Sequence, residues 1–437
     1  MKKITILLFL LLCTCLVYAD LPFRNHRYDA LRVLPVREKN IVFVGNSITN
    51  MHEWWEAFGS NPNIINRGVS GAVTQEVLDN IECIAIGKPK KVFLMLGTND
   101  LGTAGMNSTE QVLHNVTLII ECLQKKSPNT QIYLQSILPS ENGIRNLKVE
   151  QDTNAALARL CMQKNITFID LWKDLSSISQ NFEHTLDGLH LKASGYAIWC
   201  KKIQSYVGTN SVYPQDTQSR QLTGGANASW GMRNTYFSMY PVYEKDILFI
   251  GDEMIHGGEW HELLQSARVK SRGTGWGYPG PSLGHTLNSI PVILRNGEPG
   301  KICLYAGVHE VNGNEVIDSV LQKYQLVVDK IKSCTLHTKI YLMGLQPTES
   351  LAINSRIMEF NRKLQAIALS DDQLEYIDLY TNFVSDEVAN PKYFKDNYLY
   401  GRGYIKVAQI IADALQEKDI IAITDNQTEN IDVKNKK

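Results

Sequence analysis

The stretch IVFVGNSITN, residues 41–50, sets the architecture of the chain, because an apolar run ends abruptly there in small polar residues. A β-branched run followed by Gly45 predicts a buried strand that meets a turn at its carboxyl end. The stretch FIGDEMIH, residues 249–256, has the same form, with Glu253 where the first has Ser47. Two such similar stretches indicate a chain made of two related halves.

The likeness between the halves extends well beyond these stretches. LPVREKNIVFVGNSITNMHEWWEAF, from Leu34, aligns without a gap with YPVYEKDILFIGDEMIHGGEWHELL, from Tyr240. Further pairs follow in the same order: INRGVSG with KSRGTGWG, KVFLMLGTND with KICLYAGVHE, TQIYLQSILP with TKIYLMGLQP, and ITFIDLW with LEYIDLY. An ordered series of matches predicts an internal duplication.

Within each half, short apolar runs alternate with longer segments of helical periodicity. The runs lie near 41–44, 63–66, 91–96, 131–137 and 166–170, and again near 247–250, 267–271, 301–306, 338–344 and 375–379. Alternation of this kind predicts parallel sheets covered by helices on both faces. The expected fold class is α/β, with two tandem three-layer α/β/α, flavodoxin-like domains that each contain a five-stranded parallel sheet.

Composition suggests where these domains begin and end. Residues 1–19 combine two lysines, an apolar run and Ala19, which is typical of an export signal. Lipidation of Cys15 is the less favoured interpretation of this segment. The domains are expected at residues 20–207 and 235–418, separated by a polar, Gly-rich linker at 208–234 and followed by a flexible tail at 419–437. Export would bring the protein to the periplasm or outside the cell.

Charge and cysteine usage exclude several classes of function. The 437 residues contain 44 Lys and Arg against 45 Asp and Glu, which argues against nucleic acid as a partner. Beyond residues 1–19 no apolar run is long enough for stable membrane insertion. The remaining cysteines lack CxxC spacing and clustered histidines, so they are expected to be small buried residues, with no metal site and no cofactor. The oligomeric state stays open, and a monomer fits the sequence.

Polar residues of the first half fall where its predicted strands end. Ser47 follows the first strand, Gly71 the second and Asn99 the third, while Asp187 and His190 precede the last helix. Ester hydrolysis needs a hydroxyl, a base that takes its proton and a group that orients the base. Ser47, His190 and Asp187 supply these groups. The backbone N–H groups of Ser47 and Gly71 and the side-chain amide of Asn99 would stabilise the oxyanion.

Each of these residues also has a purely structural interpretation. Ser47 and Asp187 suit helix caps, Gly71 and Asn99 suit turns, and His190 suits a surface position. Ligands of open parallel sheets gather at the carboxyl ends of the strands. The joint placement of all five residues at one such edge favours the catalytic interpretation.

Four motifs carry a resemblance to a known family. VGNSIT, NRGVSG, LGTND and DGLH resemble the blocks of the SGNH/GDSL hydrolases, over about residues 34–207. The resemblance implies Ser47 as nucleophile, Gly71 and Asn99 as oxyanion donors, and Asp187 with His190 as the remaining catalytic pair. It also implies a parallel sheet ordered 2-1-3-4-5. Asn46 stands where the family more often has Asp.

The second half departs from these motifs. Glu253 replaces the serine, His309 replaces the asparagine, and no histidine follows Asp396. This half is therefore expected not to be catalytic, and three roles stay open for it. It is a structural duplicate, a sugar-binding domain lined by Trp260, Trp276, Tyr278 and His309, or a new acid–base site built from Asp252, Glu253, His309 and Glu310.

The resemblance implies an exported serine esterase that removes small acyl groups, above all acetyl, from O-acylated carbohydrates. The resemblance includes sialate O-acetylesterase-like and platelet-activating-factor-acetylhydrolase-like members. Four residues are candidates for contact with substrate: Asn46, Trp54, Trp276 and Tyr278. A lysophospholipase or thioesterase acting on longer chains, and a non-catalytic glycan-binding protein, are the alternatives.

Overall fold

The computed structural model describes residues 24–102, 108–140, 145–176, 184–213, 229–273 and 282–424. The segment predicted to be an export signal, residues 1–19, lies outside these ranges. The strands of the first domain are β1 (Ile41–Gly45), β2 (Ile64–Gly68), β3 (Lys91–Met95), β4 (Gln131–Gln135) and β5 (Thr167–Ile169). Its helices are α1 (24–32), α2 (Ser47–Asn50), α3 (Trp54–Ala57), α4 (Thr74–Ala85), α5 (Thr98–Gly102), α6 (Thr109–Lys126), α7 (Leu147–Lys164), α8 (Trp172–Ser176) and α9 (Ala193–Val207).

The first sheet is parallel throughout, in the order β2-β1-β3-β4-β5, which confirms the predicted topology. Every residue of β1 and β2 is buried, because helices cover both faces of the sheet. The order places β1 between β2 and β3. The loops that follow these three strands therefore meet at one edge, where Ser47 lies.

The second domain repeats this arrangement. Its sheet strands are β6 (Ile247–Gly251), β7 (Val269–Gly273), β8 (Lys301–Tyr305), β9 (Lys339–Met343) and β10 (Leu374–Ile377). Its helices are α10 (Ser229–Phe237), α11 (Glu253–Gly257), α12 (Trp260–Leu263), α13 (Leu283–Ile293), α14 (Val308–Asn312), α15 (Ile317–Cys334), α16 (Leu351–Leu369) and α17 (Gly401–Leu415).

The second sheet is also parallel, and its order β7-β6-β8-β9-β10 matches that of the first. Two short antiparallel hairpins were not anticipated from the sequence. They pair β11 (Val384–Ser385) with β12 (Val388–Ala389) and β13 (Phe394–Lys395) with β14 (Tyr398–Leu399). The second hairpin occupies the segment that corresponds to the DGLH motif of the first domain.

Two of the predicted boundaries are wrong. The segment predicted as a linker, 208–234, includes most of helix α10. This helix packs into the protein through Arg233, whose side chain is only 1% exposed. The tail predicted to be flexible from residue 419 packs as far as residue 424, because Ile420 and Ile423 are buried. Its backbone also bonds to α12 through Ile423 N and Leu263 O.

The domains meet in an interface whose two halves are reciprocal. Arg67 on β2 forms a bidentate pair with Glu262, with both N–O distances 2.8 Å. Its counterpart Arg272 on β7 pairs with Glu56 in the same way, at 2.7 and 2.9 Å. Glu56 and Glu262 are themselves counterparts in the sequence repeat. Each half therefore supplies one arginine and one glutamate to matching bonds, as in an isologous dimer interface.

The helices that precede the two sheets extend this reciprocity. Arg27 on α1 binds Glu259 and the carbonyl of Gly257 in the second domain. Arg233 on α10 binds Glu53 and the Met51 carbonyl in the first. Both helices therefore bridge the domains.

At the centre of the interface, Trp55 stacks on His261 with ring centroids 4.5 Å apart. These two residues occupy equivalent positions in the repeat. The buried apolar residues of both domains form one continuous cluster around this interface.

Candidate active site

Ser47 is the first residue of α2, directly after β1. The cap of this helix is Asn46, whose Oδ1 accepts a hydrogen bond from Ile48 N at 3.0 Å. The interpretation of Ser47 as a cap is therefore wrong. Because Asn46 satisfies the helix end, the Ser47 hydroxyl bonds elsewhere, and its Oγ lies 2.9 Å from His190 Nε2.

His190 and Asp187 share a tight loop before α9. His190 Nδ1 lies 2.6 Å from Asp187 Oδ2, while Asp187 Oδ1 accepts bonds from the backbone N–H groups of Leu189 and His190. Gly188, with φ of +80°, takes the left-handed conformation that this turn requires. Asp187 is not the cap of α9, because that helix begins only at Ala193.

The electrostatics of the loop fix the roles of the two imidazole nitrogens. Burial alone would raise the pKa of Asp187, but its hydrogen bonds with His190 outweigh this and lower the pKa to about 2. The ionised carboxylate can only accept, so Nδ1 of His190 carries the hydrogen. Nε2 then presents its lone pair to the Ser47 hydroxyl. This arrangement allows Ser47 to be deprotonated as it attacks a carbonyl carbon.

The turns that carry Gly71 and Asn99 are tied to each other by a hydrogen bond. Asn99 Nδ2 donates to the Ala72 carbonyl at 3.0 Å, and its Oδ1 accepts from Arg145 at 3.4 Å. Gly71 has φ of +77°, and its carbonyl accepts from Arg24 at 2.9 Å. The structure thus brings both predicted oxyanion donors to the edge of the sheet where Ser47 lies.

A buried carboxylate that the sequence analysis did not single out holds these turns in place. Asp100 accepts bonds from the backbone N and the Oγ1 of Thr74, at 3.1 and 2.6 Å, so it fixes the start of α4 to α5. The repeat contained a signal for this role. Glu310 stands at the equivalent position and accepts from Leu283 N at 2.7 Å at the start of α13.

The loop that carries Asp187 and His190 also depends on a helix from the linker region. Thr235 on α10 accepts a hydrogen bond through its Oγ1 from Ala193 N at 2.8 Å. Ala193 begins α9 shortly after His190, and its N–H lacks a partner within its own helix. Asp29 on α1 accepts from Gly401 N at 2.7 Å in the same way at the start of α17. Each bridging helix therefore anchors the last helix of the opposite domain.

Two of the predicted substrate contacts are wrong. Trp54 is 1% exposed, stacks on Phe43 at 4.2 Å and donates to the Thr49 carbonyl, so it belongs to the core. Asn46 is also 1% exposed, and its side chain serves as the cap of α2. The other two, Trp276 and Tyr278, lie outside the described residues.

In the described part of the second domain, two of the acidic residues considered in the sequence have structural contacts. Glu310 is the anchor of α13, and Asp396 lies in the turn of the β13–β14 hairpin, 3.9 Å from His26. Trp260, a candidate for sugar contact, is 1% exposed and donates to the Ile255 carbonyl. Glu253 and His309 do line a cavity at the edge of this sheet.

Within the described ranges, no three His, Cys, Asp or Glu side chains come together as a metal site. The helices of this part of the chain are all too short or too polar to cross a bilayer. Cys161, Cys200 and Cys303 are buried in the core, where burial raises the pKa of each thiol.

Parts of this chain are similar to known proteins. The GDSL-like Lipase/Acylhydrolase family matches residues 43–198. Platelet-activating factor acetylhydrolase IB subunit alpha2 from Rattus norvegicus is 28% identical, over 39% of this chain and 77% of that protein. A multidomain esterase from Ruminococcus flavefaciens is 24% identical, over 42% of this chain and 23% of that protein. Among solved structures, a GDSL-like lipase from Bacteroides thetaiotaomicron is 25% identical, covers 39% of this chain and 88% of that one, and has a TM-score of 0.35.

Proposed function

We propose that the domain containing residues 43–198, which match the GDSL-like Lipase/Acylhydrolase family, removes acetyl groups from O-acetylated carbohydrates, with Ser47 as the nucleophile. The observation that carries the proposal is the bonded series Ser47–His190–Asp187, with distances of 2.9 and 2.6 Å. A serine hydroxyl bonded to an imidazole that is itself oriented by a carboxylate is the arrangement that acyl transfer requires.

The steps follow from this geometry. Ser47 Oγ attacks the ester carbonyl while its proton passes to His190 Nε2, and Asp187 stabilises the imidazolium that forms. The N–H groups of Ser47 and Gly71 and the amide of Asn99 stabilise the oxyanion. Nε2 then gives the proton to the departing sugar oxygen as its bond to the acyl carbon breaks, which leaves an acetyl ester on Ser47. A water molecule, deprotonated by Nε2, attacks the acetyl carbonyl, and Nε2 returns the proton to Ser47 Oγ as acetate leaves.

The surroundings of Ser47 support a small acyl group. Ser70 bonds to Asn50 on the helix of Ser47 itself, and Arg145 bonds to Asn99, so the neighbourhood is polar. A cavity of about 200 Å³ with a mixed polar and apolar lining does exist between α1, α4 and β1, but this lining does not include Ser47, Asp187 or His190. The relatives named acetylhydrolase agree with acetyl as the acyl group.

The remaining parts of the proposal concern location and the second domain. The lysines and apolar run of residues 1–19 support export, and the near-neutral charge supports a partner that is neither nucleic acid nor membrane. We assign the second domain a non-catalytic role, because Glu253 and His309 stand where the first domain has its serine and asparagine.

The test is acetate release by the full chain and by Ser47→Ala, with p-nitrophenyl acetate and a panel of O-acetylated sialic acid, xylan and pectin. Without the nucleophile, kcat should fall by at least about 10⁴-fold. Hydrolysis by Ser47→Ala at the parent rate would exclude Ser47 as the nucleophile. On p-nitrophenyl esters of increasing length, activity should fall beyond short acyl chains, whereas a maximum at eight carbons or more would favour a lysophospholipase or thioesterase.

A further inference from the structure

The guanidinium of Arg145 lies against the first turn of helix α5. Its Nε donates to the Thr98 carbonyl at 2.8 Å, and its Nη2 donates to Asn99 Oδ1 at 3.4 Å. These two nitrogens share one edge of the planar guanidinium, so a single rigid fork serves two neighbouring acceptors. Arg145 directly precedes Asn146, the cap of α7. Its side chain therefore ties the start of α7 to the turn that carries Asn99.

The partners of Asn99 determine which way its side-chain amide faces. A guanidinium can only donate, so the amide atom that meets Arg145 is the oxygen. The Ala72 carbonyl can only accept, so the amide atom that meets it, at 3.0 Å, is the nitrogen. Both partners thus select the same orientation of the amide. Its nitrogen carries two hydrogens and can serve the Ala72 carbonyl and an oxyanion together.

The bond from Arg145 also strengthens Asn99 as a donor. A hydrogen bond accepted at the amide oxygen polarises the group, so the N–H groups of the same amide become better donors. Burial lowers the pKa of Arg145, and the nearby carboxylates of Glu150 and Asp187 oppose that shift. An arginine side chain stays charged in proteins. Its positive charge on the amide oxygen therefore favours the negative charge that develops on a substrate oxygen.

A glycine makes room for this guanidinium. Gly102 is the last residue of α5, and a Cβ at this position would meet Arg145 Nε at 2.6 Å and both Cζ and Nη2 at 2.8 Å. All three atoms belong to the end of a flexible side chain. An alanine would therefore push the guanidinium away from Asn99 while the backbone stays in place. Gly102 offers a second way to break the contact, without any change to the arginine.

We propose that Arg145 is a positioning residue for the hydrolysis, holding the Asn99 amide so that its nitrogen, and not its oxygen, meets the oxyanion. The inference rests on the proposed function, in which Asn99 is an oxyanion donor, and adds a residue outside the four sequence motifs. In this role Arg145 does not contact substrate. Its loss should therefore slow the chemical step and leave KM close to the parent value.

The test is a double-mutant cycle between Arg145 and Asn99 in the full chain, followed by the hydrolysis of p-nitrophenyl acetate. Arg145→Met should lower kcat by about tenfold or more, short of the ~10²–10³-fold loss expected for Asn99→Ala. In the Asn99→Ala background the same change should alter kcat by less than about twofold, because no amide remains to be oriented. Arg145→Lys keeps the charge without the fork, so its kcat should lie between those of the parent and Arg145→Met.

Gly102→Ala separates positioning from stability. It should lower kcat in the same direction as Arg145→Met, while the protein unfolds at or above the parent temperature because alanine is the better helix former. Arg32→Met is the matched control. Arg32 also donates through one edge of its fork to an asparagine, with distances of 3.2 and 2.6 Å to Asn80 Oδ1, but this pair lies on the exposed surface. Its loss should leave kcat unchanged.

A parent-like kcat for Arg145→Met, an equal loss with and without Asn99, or a rise in KM alone would each overturn the positioning role. Should thermal unfolding show that Arg145→Met does not fold, Gly102→Ala decides the outcome. Ser47→Ala distinguishes this failure from that of the proposed function. Hydrolysis by Ser47→Ala at the parent rate would overturn both, whereas an inactive Ser47→Ala beside a fully active Arg145→Met would overturn the positioning role alone.

Discussion

Ser47 illustrates how a neighbouring residue determines whether a hydroxyl is available for chemistry. A serine after a strand often caps the next helix. Here Asn46 takes that role, and the Ser47 hydroxyl bonds to His190. In the second domain Asp252 caps in the same manner, and Glu253 follows it without any matching histidine. The scaffold therefore needs the cap at this turn, whereas the following residue is set by function.

Asp187→Asn should lower kcat by about 10⁴-fold, because an amide can donate to Nδ1 and stabilise the wrong tautomer of His190. KM should change little, since Asp187 is not proposed to contact substrate. The measurement is steady-state hydrolysis of p-nitrophenyl acetate. Asp152→Asn, an exposed carboxylate on α7, is the matched control and should retain the parent rate. A loss of less than tenfold would show that the Asp187 carboxylate does not set the tautomer.

The Asp187 carboxylate also affects the stability of the folded protein, and this effect depends on pH. Its folded-state pKa of about 2 lies below the ordinary aspartate value of 3.8, so ionised Asp187 stabilises the fold at pH values above about 4. This contribution is lost as the pH falls toward 2. The difference in unfolding free energy between the parent and Asp187→Asn should therefore narrow over this interval. Urea unfolding at a series of pH values measures it.

Helix α10 links the second domain to the loop that carries Asp187 and His190. Its Thr235 satisfies the first N–H of α9, and α9 begins shortly after His190. Asp29 on α1 performs the equivalent task for α17. The second domain therefore contributes to the first through the helix that leads into it, although none of the predicted catalytic residues lies in the second domain.

Thr235→Val should lower kcat by about tenfold, because the unpaired N–H of Ala193 lets the loop carrying His190 shift from its bonding distance. Thr235→Ser keeps the oxygen and should restore most of the rate. The kinetic measurement is the hydrolysis of p-nitrophenyl acetate at saturating substrate. Asp29→Ala, the equivalent change on α1, is the control: it should lower stability and leave kcat intact. Equal kcat values for Thr235→Val and the parent would refute the role.

Local pattern explains which elements could be predicted from the sequence. The strands are continuous apolar runs, and both sheets follow from them because buried parallel strands leave a clear signature. Helix α10 was missed because its segment lacks apolar periodicity, and its stability comes from Arg233 binding partners in the other domain. The final residues were missed for a similar reason, since Ile420 and Ile423 are buried only through contact with α12.

The residues of the candidate site also fall into two groups, those that could be predicted from the sequence and those that could not. Ser47, Asp187 and His190 could be named because each lies in a short motif at a strand end. Asp100 and Arg145 act on backbone and side-chain groups that the motifs do not specify. For Asp100, the one signal in the sequence was Glu310, the acidic residue at the equivalent position of the second half.

For the whole molecule, the reciprocal arginine–glutamate pairs are expected to couple the folding of the two domains. Arg67 and Glu262 are 3% and 10% exposed, and Arg272 and Glu56 are 0% and 2% exposed. Buried pairs are costly to desolvate, so their removal one partner at a time is more harmful than their replacement as a pair. The sequence offered a signal here too, since both arginines and both glutamates recur in the repeat without a catalytic role.

Glu262→Gln should lower the unfolding free energy by about 3–5 kcal/mol, because it leaves the buried Arg67 charge without its counter-ion. The double variant Arg67→Met with Glu262→Leu should lie within about 1–2 kcal/mol of the parent. Urea denaturation followed by circular dichroism gives both values. Lys148→Ala, which breaks an exposed pair with Asp152, should change stability by less than about 1 kcal/mol. A loss that small for Glu262→Gln would contradict the coupling of the domains.

The stack of Trp55 on His261 has a consequence for which amino-acid substitutions this chain can accept. Contact between equivalent positions occurs only on a symmetry axis, and in a dimer of identical chains the residue there always meets its own copy. Any substitution in such a dimer appears twice. Joining both halves in one polypeptide removes this constraint, so the axis can hold a tryptophan against a histidine. The same freedom allows one half to keep Ser47 while the other carries Glu253.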